Sequence, residues 1–99
     1  MNNNEEKIKN LEEKLNAVEV VDPIWFRSNH SAYKIVCLVN NIIALRISKN
    51  YKSIPVFIYR INKFLSLKKE NYLSSGYIDL VNQYIHIIEV NYNLDRRTY

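Results

Sequence analysis

The chain has 99 residues, 47% apolar and 24% charged, enough for one core of packed helices and too few for a second domain. Its single cysteine, Cys37, excludes an internal disulfide and, lying between Val36 and Leu38, reads as a buried thiol in a reducing compartment. The net charge of +4 is unevenly spread: residues 1–22 hold six acids and three lysines, whereas residues 23–69 hold nine lysines and arginines and no acid. Such a field attracts polyanions or an acidic protein surface.

Gly76 is the only glycine and Pro23 and Pro55 the only prolines, so few positions favour tight turns, and long helices with few connections suit the shortage. The polar, acidic start Met1-Asn2-Asn3-Asn4-Glu5-Glu6 lacks the basic-then-apolar order of a secretory signal. The apolar runs Ile35 to Val39 and Ile42 to Leu45 fall far short of the roughly 20 residues that span a bilayer. An intracellular chain of cytoplasm or nucleus, not secreted and without a membrane span, is expected. With 13 isoleucines and 8 tyrosines raising strand propensity everywhere, periodicity is the better guide to structure.

Ile8, Leu11, Leu15 and Val18 are spaced three, four and three with charges between them, which predicts a coiled-coil-like first helix from about Asn4 to Val20. Asp22-Pro23 ends it. Ile24-Trp25-Phe26 then forms an extended connection whose aromatics are pinned on the core, and the chain turns at Ser28 to Ser31. Ala32, Ile35, Val36, Val39, Ile43 and Ile47 form the stripe of a central helix, widened by Leu38, Ile42 and Leu45. A competing reading makes residues 33–48 a strand hairpin turning at Asn40-Asn41, giving an α+β fold.

Ser53 as N-cap, Pro55 in the first turn, and Ile54, Phe57, Ile58, Ile61, Phe64 and Leu65 at helical spacing predict a third helix to about Lys68. The last helix places Tyr77, Leu80, Val81, Tyr84, Ile85 and Ile88 on one face and Asp79, Asn82, Gln83, His86 and Glu89 on the other. Asn91 to Tyr99 reads as a fraying end with Arg96 and Arg97 exposed. The whole is an all-α bundle of about four helices: an acidic amphipathic helix over 1–22, a basic helical body over 23–93 and a flexible tail over 94–99.

Chemistry is narrowed by what is missing. One glycine supplies neither a phosphate loop nor a dinucleotide fingerprint, and Cys37, His30 and His86 lack ligand spacing, so no cofactor, metal or catalytic residue is assigned. His86 lies one turn from Glu89 and Asn82 on a polar face, and His30 in the turn beside Asn29 and Ser31; both read as surface histidines.

Two binding constellations stand out. With Ile8 and Leu15 at heptad position a and Leu11 and Val18 at d, Lys7 and Lys14 fall at g and Glu12 and Glu19 at e. In a parallel dimer Lys7 would face Glu12, and Lys14 would face Glu19. Opposite the stripe of the third helix, Val56, Tyr59, Arg60 and Lys63 share a face, preceded by Lys49 and Lys52 and followed by Lys68 and Lys69, offering cations for phosphates and a ring for stacking. The second helix, the short Ser48 to Ser53 connection and the third helix have the outline of a helix-turn-helix, without a glycine in the turn. The leading expectation is a non-enzymatic helical interaction or assembly module, a homodimer or a small subunit of a larger complex, joined to itself or to a protein partner through its first helix. The alternative is nucleic-acid binding through the basic face of the 53–69 helix.

Overall fold

The computed structural model describes residues 3–21, 30–67 and 75–94. Four α-helices build it: α1 (Asn3–Val21), α2 (His30–Ile47), α3 (Ile54–Leu67) and α4 (Ser75–Asn91), with a 3-10 turn at Tyr51–Ser53 before α3. The expected all-α bundle is the fold. Residues 33–48, for which a strand hairpin competed, lie in the unbroken α2 except for the closing turn residue Ser48. Isoleucine and tyrosine have high strand propensity, yet an apolar stripe at helical period decides the element when it packs on neighbouring helices. The aromatic connection Ile24-Trp25-Phe26, the helix-ending Asp22-Pro23 and the tail from Asp95 lie outside the described residues.

One core joins all four helices. Ile8 and Leu15 of α1 meet Ile35, Val36, Val39, Ile42 and Ile43 of α2, Ile54, Ile58 and Ile61 of α3, and Tyr77, Val81, Tyr84, Ile85 and Ile88 of α4. The acidic first helix therefore shares a core with the basic body. The 3.6-residue period explains most of this list, since each helix buries the face its stripe marks.

Several placements differ from the sequence reading. Ile47, in phase with the α2 stripe, is 64% exposed at the last residue of the helix. His30 and Ser31, assigned to a turn, begin α2. Cys37 is half-buried, being on the flank of α2, in contrast to the buried thiol expected. Asn91 is the last residue of α4, and the chain stays ordered in a turn to Leu94. The amides of Tyr92 and Leu94 close the end of α4 on Ile88 and Glu89 (3.1 and 2.9 Å), and Leu94 packs on the core.

The reversal between α2 and α3 is made without glycine. Lys49 takes the left-handed conformation at φ 63°, its amide donating to the Arg46 carbonyl at 3.1 Å while the Asn50 amide donates to Leu45 at 2.9 Å. This pair of bonds closes a helix through a left-handed residue, a position that glycine normally fills. Ser53, expected as an N-cap, donates its hydroxyl to Asn50 Oδ1 at 3.1 Å and braces the turn. Beyond it, α3 runs back along α2, so that Lys34 near the start of α2 lies over Phe64 near the end of α3. This is an antiparallel hairpin, whereas a helix-turn-helix crosses its helices steeply.

The left-handed conformation costs a residue with a Cβ about 1–2 kcal/mol, and glycine's greater freedom in the unfolded chain cancels about 0.5–1 kcal/mol of the relief. Lys49→Gly is expected to raise stability by about 0.5–1 kcal/mol and the melting temperature by about 2–8 °C in thermal circular dichroism. An unchanged or lower melting temperature would show that the turn is not strained.

Candidate binding surfaces

The side chains that sequence analysis assigned to a dimer seam divide between the interior and the surface. Ile8 and Leu15 are buried in the chain's own core. Glu12, only 6% exposed, lies beneath them against α2 and α4. Lys7 and Lys14 are exposed, Leu11 is half-buried, and the side chains of Val18 and Glu19 lie outside the described residues.

Glu12 is held from two sides. Arg46, itself buried, brings its guanidinium edge-on to the carboxylate, Nε to Oε2 at 2.5 Å and Nη2 to Oε1 at 2.7 Å, the paired geometry that suits a planar fork. The Tyr84 phenol donates to Oε2 at 2.7 Å. A second carboxylate extends the arrangement. Glu5 lies 3.7 Å from Arg46 Nη1 and accepts from the Tyr92 phenol at 2.8 Å and from Asn91 Nδ2 at 3.1 Å. The Tyr92 ring stacks on Tyr51 with centroids 4.1 Å apart, so the 3-10 turn joins the same cluster. Four elements thus meet around two carboxylates and one guanidinium.

The electrostatics follow from that closure. The bond to Glu12 holds Arg46 above even its usual range, so its charge is fixed. Burial, then the bond to the Glu12 carboxylate, raises Tyr84 well above the ordinary phenol range. Burial, then the bond to Glu5, pushes Tyr92 up to about 12. The cluster ties α1, α2, α4 and the 3-10 turn together as a structural clamp.

With one edge of α1 turned inward, the opposite edge forms a groove with α4. It encloses about 520 Å³ and is lined on α1 by Lys7, Leu11 and Lys14 and on α4 by Gln83, His86, Ile87 and Val90. Leu11, Ile87 and Val90 make the floor, and Val90 is 61% exposed. Lys7 and Lys14 form no ion pair among the described residues, and no acid lines the groove. His86 stands on this rim.

The expected basic face is also divided. Lys49 and Lys52 are exposed at the turn between α2 and α3, Lys68 and Lys69 lie outside the described residues, and Tyr59, Arg60 and Lys63 lie on the outer face of α3. Arg60 and Lys63 combine with a residue the sequence analysis did not select, Lys34 of α2, around Leu38 and Phe64. Phase alone could have found it: Lys34 precedes Leu38 by four residues on one edge of α2. Among the described residues no three histidine, cysteine or carboxylate side chains cluster as a metal site, and no helix is long and apolar enough to cross a membrane.

Removing one partner of a buried ion pair strands the other, at a cost of about 3–5 kcal/mol. Glu12→Ala is expected to lose about that much in urea unfolding, and leucine at both Glu12 and Arg46 to recover most of it. The phenols add an alkaline signature. A phenol whose pKa folding raises keeps its proton in the native state after the unfolded chain has lost it, so its contribution is complete below about pH 10 and disappears as pH rises through the folded value. Between about pH 9 and about pH 11, Tyr84→Phe is expected to lose less stability than the parent chain. Equal losses would mean that Tyr84 is not the source. Comparison with protein-family models, curated proteins and solved structures finds no match to this chain.

Proposed function

We propose that the chain is a non-enzymatic interaction module that receives an acidic amphipathic helix of a partner protein in the groove between α1 and α4. The observation that carries this reading is the pairing of an apolar floor, Leu11, Ile87 and Val90, with two lysines that form no ion pair among the described residues, Lys7 and Lys14. Helix-in-groove recognition uses this combination: apolar anchors at helical spacing supply burial, and flanking charges set orientation and association rate. An acidic helix is favoured over a second copy of this chain. A two-fold axis crossing the groove would bring the Lys7 and Lys14 pair of one copy onto the same pair of the other, where like charges repel, and an axis along the groove would set the lysines over the α4 lining, which offers no acid.

A synthetic amphipathic helix with leucines on one face and glutamates on both flanks is expected to bind the full chain in fluorescence anisotropy. Val90→Asp should abolish binding through the floor, and Lys7→Glu with Lys14→Glu should weaken it at least about ten-fold, the equivalent of about 1.4 kcal/mol. Binding that ignores all three substitutions removes the groove from consideration. A dimer by light scattering that Val90→Asp dissolves would replace the acidic partner with a second copy.

A further inference from the structure

A second recess, built from elements that the α1/α4 groove does not use, opens between α2 and α3. It encloses about 430 Å³ and is lined by Lys34, Leu38, Arg60, Lys63 and Phe64. Three of these five residues are cations, none is an acid, and Leu38 and Phe64 are half-buried at its base. The cations are interleaved with rings: Lys34 Nζ is 5.9 Å from the Phe64 centroid, Arg60 stands 5.6 Å over Phe57, and Lys63 Nζ is 5.9 Å from Tyr59, a residue 45% exposed. Each ring keeps a cation beside an apolar surface, so an entering group meets a positive charge and a flat hydrocarbon face together.

We infer that the recess between α2 and α3 binds single-stranded nucleic acid, with Lys34, Arg60 and Lys63 holding backbone phosphates and Phe64 stacking an unpaired base. This reading is independent of the α1/α4 groove. Three features select the ligand. The cations form no ion pair among the described residues and call for a polyanion. Phe64 is recessed between two helices, where a flat bilayer surface does not reach but a base on a flexible strand does. In a duplex the bases are stacked on one another and their faces are closed to a side chain, so the ring gives an advantage only to unpaired strands.

The test is fluorescence anisotropy of the full chain with a labelled oligothymidine of about 12 nucleotides and with a duplex of equal length, in a salt series from about 20 to about 200 mM. The single strand is expected to bind more tightly than the duplex, with a salt slope near about −2, or about −0.7 for each of three phosphates. Lys34→Ala, Arg60→Ala and Lys63→Ala should each lower affinity several-fold and reduce the slope by about 0.7. Lys7→Ala with Lys14→Ala, cations of the other groove, should leave affinity unchanged. Phe64→Leu, which keeps apolar volume and removes the aromatic face, should cost at least about five-fold; circular dichroism checks its folding, and the exposed Lys34→Glu and Lys63→Glu carry the same test if it unfolds. The inference is overturned by no binding at the lowest salt, by a preference for duplex, or by equal loss on removing Lys7 and Lys14. It is equally overturned if vesicles of anionic lipid bind through Lys34 and Lys63 and displace the oligonucleotide.

Discussion

The arrangement depends on a buried carboxylate that has to be satisfied. A charge taken out of water is tolerated only where hydrogen bonds replace its solvent, and Glu12 finds two from Arg46 and one from Tyr84. Those bonds have fixed lengths and directions, which apolar contacts do not. The core around them is largely isoleucine and valine, whose contacts carry no such direction. Only one axial position of α1 puts Glu12 beside Arg46 and Tyr84 while Glu5 reaches Tyr92 and Asn91. Replacing such a pair by leucines can leave stability unchanged; what the pair adds is choice of register, the same service a buried asparagine gives a coiled coil.

That register decides which surfaces remain outside. Because the Glu5 and Glu12 edge of α1 turns inward, the Lys7, Leu11 and Lys14 edge turns toward α4 and solvent. The clamp also spends two carboxylates of the acidic helix on Arg46. The remaining described cations of α2, α3 and the turn between them, Lys34, Lys49, Lys52, Arg60 and Lys63, form no ion pair with them. Among the described residues the charge division read along the chain is therefore not cancelled by ion pairs, and these five cations stand on the α2/α3 hairpin and its turn.

How much of this was legible in sequence differs by kind of interaction. Helix positions follow from local periodicity: α1 and α3 begin and end within about two residues of where their stripes predict, and α4 covers the residues of its predicted faces. The clamp was missed because Glu12 and Arg46 are 34 residues apart and charges between apolar residues resemble a solvated heptad flank. A signal was nevertheless present. Arg46 follows Val39, Ile42 and Ile43 by seven, four and three residues, and Glu12 lies four after Ile8 and three before Leu15, so both charges stand in phase with buried stripes. A cation and an acid each in phase with a core face call for one another. The left-handed Lys49 left no such trace, since composition counted glycines and gave no weight to a lysine in that conformation.

The two recesses are alike in construction and opposite in what they exclude. Each lies between helices paired antiparallel, where the outer edges of two stripes leave half-buried apolar side chains that neither helix covers, and each is rimmed by lysines whose long stems shield that apolar surface while their charges stay in water. In the α1/α4 groove the floor is aliphatic, Leu11, Ile87 and Val90, and gains most from another aliphatic face. In the α2/α3 recess the base holds the Phe64 ring with Lys34 over it, and gains most from a flat, electron-rich group carried by an anionic chain. Positive charge alone would make both surfaces attract the same polyanions; in the two proposals it is the kind of apolar group beneath the charge that separates the ligands, so that specificity would be a difference between two floors.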